Sequence, residues 1–519
     1  MEIAKDSARF KLTLMLAALL MAISAVALVP ADMSDADGDE IMVSTWGELK
    51  DAISSASVGA VIALANDITD ESDSPAIQIK EKFLYIDLKG HKIDRCGFKG
   101  DDDDRRLFDI SGASKVYISN GTLTGGRAED GGCVYIKGGS NIQLDDVIVT
   151  DNYSDGDGGA IYLKYALVMM NGGKITDNSC DGDGGAIYLE NEAWAVITGT
   201  EISGNHADDG DGGVLYSDHS DYGFVRCAFE DNYCDGDGGV VFAEGMTDET
   251  DLTYFTDCSF SENYTKKDDD NDGGAIYLEE SHLGIIRCTF EGNHCGFDGG
   301  AIYAENSTID YLSDTVFRNN SAPDSGGAVR LYGGNCYLGD VVFEGNYANN
   351  CGGGLYMNNG ANVVIKGIRM TGNSARLDGG GLLVGADGDN TVEIQGLIVI
   401  NDNTANRDGN NVFLREGQVL KCSMFDGGSS IGIKLAKASK KFTENFGNNN
   451  PGVDPAKIFF SDDPDYYVAL DPDSGEAKMF KEGTSGEMSN DINIWIIVGV
   501  IVAVVMIGAA VYFFVVRKP

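Results

Sequence analysis

The sequence is short of proline, histidine and tryptophan (8, 5 and 3 among 519 residues) and short of positive charge, with 38 Lys and Arg against 82 Asp and Glu. The shortage of base excludes most. A formal charge of −44 leaves no basic surface for a phosphate backbone, so nucleic acid is not a partner. The five histidines (His91, His206, His219, His282 and His294) share no metal-ligand spacing such as HExxH. The eleven cysteines include no CxxC pair and do not form the framework of a small disulfide-rich domain. Between the glycine markers described below, no sustained helical period appears, which removes helix-bearing repeats. Little proline and an apolar fraction of 43% also exclude a largely disordered chain.

What is present begins with two apolar ends. Lys5, Arg9 and Lys11 precede the apolar run Leu12–Val29, and Ala25-Val26-Ala27 offers an A-x-A site, so residues 1–31 read as a secretory signal peptide. Near the other end, Ile492–Val516 carries no charge and is long enough to cross a ~30 Å hydrocarbon core as a helix. Arg517 and Lys518 follow it, which places the tail 517–519 in the cytoplasm and everything before the anchor outside.

Between the ends the chain repeats. "DGDGGAIYL" is written identically at Asp155–Leu163 and Asp181–Leu189, and a Gly-Gly-small-aliphatic-aromatic unit recurs from Gly131 ("GGCVY") to a decayed copy at Gly409. Most steps are 26 to 28 residues. A second marker keeps the same phase: an apolar residue three before an Asn, as in "VTDN" (Asn152), "ISGN" (Asn205), "FSEN" (Asn263), "FEGN" (Asn293) and "FRNN" (Asn320). Within "GGAIYL" the residues alternate as a strand requires, with Ile161 and Leu163 on one side and Tyr162 on the other.

Such a unit cannot bury its apolar side alone. Winding the chain so that equivalent strands stack in parallel produces a continuous core, and the expected fold is an all-β parallel β-helix of about eleven or more coils. Asn at a fixed corner suits this, since it tolerates left-handed backbone and its amide bonds along a stack. "STWGELKDAISSA" (Ser44–Ala56) reads as a short capping helix, and residues 41–110 as the cap and first coils. Residues 111–425 are then the repeats, 426–491 a distal cap and acidic stalk, and 492–516 a transmembrane helix.

"GGAIYL" together with "FEGN" or "FRNN" resembles the GGA[ILV] and FxxN repeats of the polymorphic outer-membrane adhesins of chlamydiae. "FLYIDLKGHKI" is similar to the "IDLNGH" segment that opens many right-handed, pectate-lyase-like β-helix surface proteins, archaeal adhesin-like proteins among them. The resemblance covers roughly Ser44–Leu414 and implies a right-handed helix displayed at a surface. The chlamydial proteins end in a membrane β-barrel. This chain ends instead in a single apolar segment with no LPxTG-like signal before it, which favours a directly anchored ectodomain.

Three sets of residues are candidates for function. The acidic turns place Asp155, Asp157, Asp181, Asp183, Asp209, Asp211, Asp235, Asp237, Asp268, Asp270 and Asp272 in stacked register. Like charges so close repel, and bound structural calcium would relieve that; solvated, glycine-permitted turns are the plainer alternative. Asp268–Glu279 even fits the EF-hand expression, yet Gly273–Glu279 is the repeat's own strand and no helices flank it. The second set is Tyr162, Tyr188, Tyr216, Tyr277, Tyr303 and Tyr356, expected as an outward aromatic ladder that either stabilises neighbouring coils or binds a glycan or protein ligand. The third is the sequons at Asn120, Asn306 and Asn319, candidates for glycosylation.

No catalytic residue emerges. "GSSIG" (Gly428–Gly432) fits G-x-S-x-G, but no His follows it. No cofactor is required by the sequence. The expected role is adhesion or surface recognition, with a polysaccharide lyase or hydrolase on the same fold and a structural coat protein as rivals.

Overall fold

The computed structural model describes residues 40–72, 74–96, 105–246, 253–266, 270–438 and 440–483. The expected signal peptide, transmembrane helix and tail, together with Asp268, lie outside the described residues. Among the described residues no helix is long and apolar enough to cross a membrane.

The β-branched, alternating strands wind into a right-handed parallel solenoid of about 14 turns. One coil shows the plan. Ile161–Lys164, Leu167–Asn171 and Lys174–Thr176 form three walls, and the two-residue strand Ser179–Cys180 closes the circuit. Each strand pairs in parallel with its counterpart one repeat later, for example Ile161 with Ile187, Tyr162 with Tyr188 and Leu163 with Leu189. Inward residues are fully buried, and the Phe of the second marker stacks from Phe229 through Phe260, Phe290, Phe317 and Phe343 at 4.4–4.9 Å between ring centres. That spacing is the separation of adjacent strands, so the sheet itself holds the rings in contact.

The paired glycines have two separate causes. Gly158 adopts φ +63°, which a side chain disfavours, whereas at Gly159 an added Cβ would lie 2.2 Å from the carbonyl oxygen of Gly185 in the next coil. Neither can be replaced without moving the stack.

The marker asparagines are the polar spine. Asn152, Asn178, Asn205, Asn232, Asn263, Asn293, Asn320, Asn346, Asn373 and Asn403 are all buried. Asn205 Oδ1 accepts from the backbone N–H of Asn178 (3.1 Å) and from its Nδ2 (2.9 Å), while Asn205 Nδ2 donates to Asn232 Oδ1 (3.0 Å) and to Ile175 O (2.9 Å). The file passes from Asn403 to Asn411 and ends on the carboxylate of Asp462. The sequon residues Asn152 and Asn263 are thus consumed by the ladder. Asn120, Asn306 and Asn319 instead sit exposed at left-handed turn positions (φ +58°, +47° and +54°).

Ten of the eleven cysteines are buried and stand in no disulfide. Cys227 and Cys258 point their thiols at the carbonyls of Ile197 and Phe224 (3.4 Å each), and burial pushes the Cys258 thiol up to about 12. They fill space rather than react.

Both ends of the described rod are covered. The helix Trp46–Ser55 starts at Thr45, whose hydroxyl accepts from the Glu48 N–H (3.2 Å) while the Glu48 carboxylate accepts from the Ser44 N–H (2.7 Å), a reciprocal capping box. Its buried stripe Trp46, Leu49, Ala52 and Ile53 closes the N-terminal end of the core. At the far end the expectation of an acidic stalk is corrected for residues 426–483. Ser430–Leu435 and Phe459–Ser461 continue the coils, and "SDDPDYY" leads into, and "LDPDSGEA" forms the turn of, an antiparallel hairpin of Tyr466–Leu470 with Ala477–Lys481. Phe442, Phe446, Phe459, Val468 and Met479, spread among the acids, supply the core that folds it.

Replacing Asn263 by Ala removes the acceptor shared by the Asn232 N–H and Nδ2. Leaving both donors buried should lower the unfolding free energy by about 3 kcal/mol. A urea-unfolding midpoint unchanged by this substitution would show that the ladder does not carry the stack.

Candidate functional site

Because side chains alternate along the "GGAIYL" strand, the tyrosines leave the core side and form a file on the outer face. Successive rings from Tyr135 through Tyr162, Tyr188, Tyr216, Phe242, Tyr277 and Tyr303 stack at 4.9–5.1 Å. The ladder faces outward as expected, and its rings are packed on one another. Tyr162, Tyr216, Tyr277 and Tyr303 are only 8, 9, 7 and 8% exposed, and Tyr188 and Tyr356 are half-buried. Each ring covers the faces of its neighbours, and the hydroxyls are spent on a parallel file of carboxylates: Tyr162 donates to Glu190 (2.6 Å), Tyr216 to Glu244 (2.7 Å) and Tyr277 to Glu305 (3.2 Å). Phe242 occupies the same file without a hydroxyl, so stacking is what the position requires.

The acidic turn separates into two files with different fates. The first Asp of each turn lies at or near the surface, and three of them find a local partner. Asp155 pairs with Arg127 (2.5 Å), Asp181 accepts from the Tyr153 hydroxyl (2.5 Å), and Asp235 pairs with Lys266. Asp209 and Asp270 are exposed.

The second Asp is the more consequential one. Asp157, Asp183, Asp211, Asp237 and Asp272 each accept, through Oδ1, the backbone N–H of the equivalent residue one coil on, at 2.5–2.9 Å. Asp298 ends the file by accepting from the Ser325 N–H (2.7 Å). Burial raises all six carboxyls. Asp183 and Asp298 reach about 6, Asp237 about 7 and Asp272 about 8, where burial is reinforced by the neighbouring Asp298.

One cation meets the end of this ladder. Arg330 replaces the aromatic residue in "GGAVR"; it is 5% exposed, donates through Nε to Asp298 Oδ2 (3.2 Å), and lies 3.9 Å from the centre of the Tyr356 ring. Among the described residues no group of three or more His, Cys, Asp or Glu side chains converges in a way that would hold a metal ion.

A second aromatic file is half-buried along most of its length and exposed at His294 and Tyr347. The residue immediately after the marker Asn stacks on the short fourth wall in four consecutive coils, with His206–Tyr233, Tyr233–Tyr264 and Tyr264–His294 at 4.7, 5.0 and 5.0 Å and nearly parallel planes. Its signal was in the text as "GNH", "DNY" and "ENY", hidden because the preceding Asn dominates the pattern. Tyr264, His294 and Tyr347 of this file line an open groove of about 470 Å³.

Comparison with known families agrees with this architecture. The family model described as the right-handed beta helix region matches residues 78–229 and 273–450, more than half of the chain. The chain belongs to the right-handed β-helix family. The Chlamydia polymorphic membrane protein repeat matches residues 257–279 of this β-helix, the span that runs from the "FSEN" marker into "GGAIYL". Neither a curated protein nor a solved structure matches the β-helix.

The aspartate ladder sets a pH dependence. The folded carboxyls bind protons more tightly than the unfolded ones, whose ordinary value is about 3.9, so their contribution to stability is complete below pH ~4 and is lost as pH rises through about 6 to 8. The thermal midpoint should therefore be higher at pH 5 than at pH 8. Asp237→Asn, whose amide oxygen can still accept the Asp272 N–H, should raise the midpoint at pH 8 and shrink the difference between the two pH values. A midpoint that climbs from pH 5 to pH 8 would contradict the ladder's titration.

Proposed function

We propose that this β-helix is a membrane-anchored surface protein that recognises glycan or protein ligands through the side wall of its rod. The observation that carries the reading is the aromatic file on the fourth wall, exposed at His294 and Tyr347 and set in a groove there, whereas most rings of the tyrosine file are covered by their neighbours. Exposed aromatic rings beside polar groups are a common means of holding sugars and protein side chains.

Three further features support display at a surface. The repeat at 257–279 matches that of the chlamydial polymorphic membrane proteins, the apolar stretch Ile492–Val516 is followed by Arg517 and Lys518, and the strong negative charge favours a soluble, unaggregated ectodomain. Structural calcium between the exposed acids is part of this proposal: Asp155, Asp181, Asp209 and Asp270 are the exposed candidates, while the Asp157–Asp272 file already serves backbone donors.

Expression of the full-length chain on a non-adherent cell tests the reading. Displaying cells should adhere to glycan- or protein-coated surfaces, adherence should fall with His294→Ala or Tyr347→Ala, and chelation with EGTA should report any calcium requirement. Adherence equal to that of cells lacking the protein would overturn it.

A further inference from the structure

The second aromatic file is interrupted, and the interruption has the dimensions of a site. In register along the fourth wall stand Tyr153, Ser179, His206, Tyr233, Tyr264, His294, Ser321 and Tyr347. Four consecutive rings, from His206 to His294, stack with interplanar angles of 6–9°. At the next coil the position is Ser321, and one coil further Tyr347 restores an aromatic residue that is 43% exposed. Adjacent strands are ~4.8 Å apart, so the backbones carrying His294 and Tyr347 are roughly 10 Å apart along the axis. Ring-to-ring stacking needs about 5 Å, which leaves the space of one missing ring.

The groove at this point is lined chiefly by Tyr264, Lys266, His294, Ser321, Pro323 and Tyr347. The other missing ring, at Ser179, is different. There the Tyr153 hydroxyl reaches across to Asp181 in the next coil, and the Arg127 guanidinium covers the Tyr153 ring at 4.8 Å. Only the Ser321 gap opens into the groove.

We propose that the gap at Ser321 binds a pyranose ring of a neutral glycan, which takes the place of the missing ring in the stack. The assignment rests on the recognition reading above and names its ligand class. A pyranose presents C–H faces to aromatic rings and hydroxyls around its edge. The gap offers the same division: the His294 ring at the end of the stacked file, with Ser321 and Tyr347, each bearing a hydroxyl, in the same lining. Among the described residues Ser321 Oγ has no hydrogen-bond partner, and the Tyr347 hydroxyl has only a 3.3 Å contact with Asn349. A partner's phenylalanine in the gap would cover these polar groups without pairing them, at a cost in affinity that a sugar avoids. The lysine in the lining, Lys266, is already paired with Asp235, and an anionic sugar meets a chain of formal charge −44, so the neutral ring is the better fit.

The test uses the full-length chain in detergent, made in a host that does not glycosylate because Ser321 completes the Asn319 sequon. Maltohexaose, cellohexaose, laminarihexaose and mannohexaose are titrated as neutral probes, with oligogalacturonate as the anionic one, and binding is followed by calorimetry and saturation-transfer NMR. At least one neutral hexasaccharide should bind, and His294→Ala and Tyr347→Ala should each weaken it roughly three- to tenfold. Ser321→Tyr should abolish binding while the thermal midpoint stays or rises, because the new ring completes the stack.

Binding of the neutral probes that survives Ser321→Tyr overturns the proposal, as does binding of oligogalacturonate alone or of no probe. If no saccharide binds but displayed cells still adhere to protein-coated surfaces, the glycan assignment fails and the recognition reading stands.

Discussion

The structure depends on one constraint: a coil of a β-solenoid must satisfy its corner backbone groups without water, and it must do so in the same way as the coil above and below. The buried asparagine file meets that constraint. Each side-chain amide accepts from the coil before it and donates to the coil after it and to a core-wall carbonyl, so no member is satisfied without its neighbours. The consequences spread from there. Coils must keep register, register puts identical side chains on top of one another, and every outward position becomes a file of like residues at strand spacing.

For aromatic rings this enforced stacking is favourable, and for amides it is complementary. For carboxylates it is a conflict. The second Asp of each acidic turn performs at its corner the same acceptor service that Asn performs at the other, using a backbone N–H as donor. It has no N–H of its own to pass along, and when ionised it adds a charge beside the charges of its neighbours. Burial then raises these carboxyls until protons relieve part of the repulsion, and a buried arginine, Arg330, sits where the file stops. The corner is held by an acceptor whose charge depends on the medium, whereas the asparagine corner is held by one that does not titrate.

Much of this was legible in the residues. The glycine spacing, the alternating "GGAIYL" strand and the Asn marker identify stacked parallel coils, and Thr45 with Glu48 identifies the capping helix. Periodicity reports which side of the wall a residue takes, but exposure also depends on what stands beside it. Tyr162, Tyr216, Tyr277 and Tyr303 do point away from the core, yet ring-on-ring contact and the adjacent glutamates cover them. The C-terminal acids misled for the opposite reason: Phe442, Phe446 and Phe459 are too widely spaced to show a period, and only their convergence in space reveals a core.

A perfectly regular solenoid has no unique place on its wall, because every coil presents the same surface as the next. Specific recognition on such a fold therefore requires a defect. The replacements of an aromatic residue by Arg330, Ser179 and Ser321 are defects of this kind, and each has been resolved differently. Arg330 is absorbed into the wall by Asp298 and Tyr356, and Ser179 is crossed by the Tyr153 hydroxyl. Ser321 alone is left facing an open groove with an aromatic residue on each side. The repeat builds the stack, and a departure from the repeat creates the one position in it that an outside ring can fill.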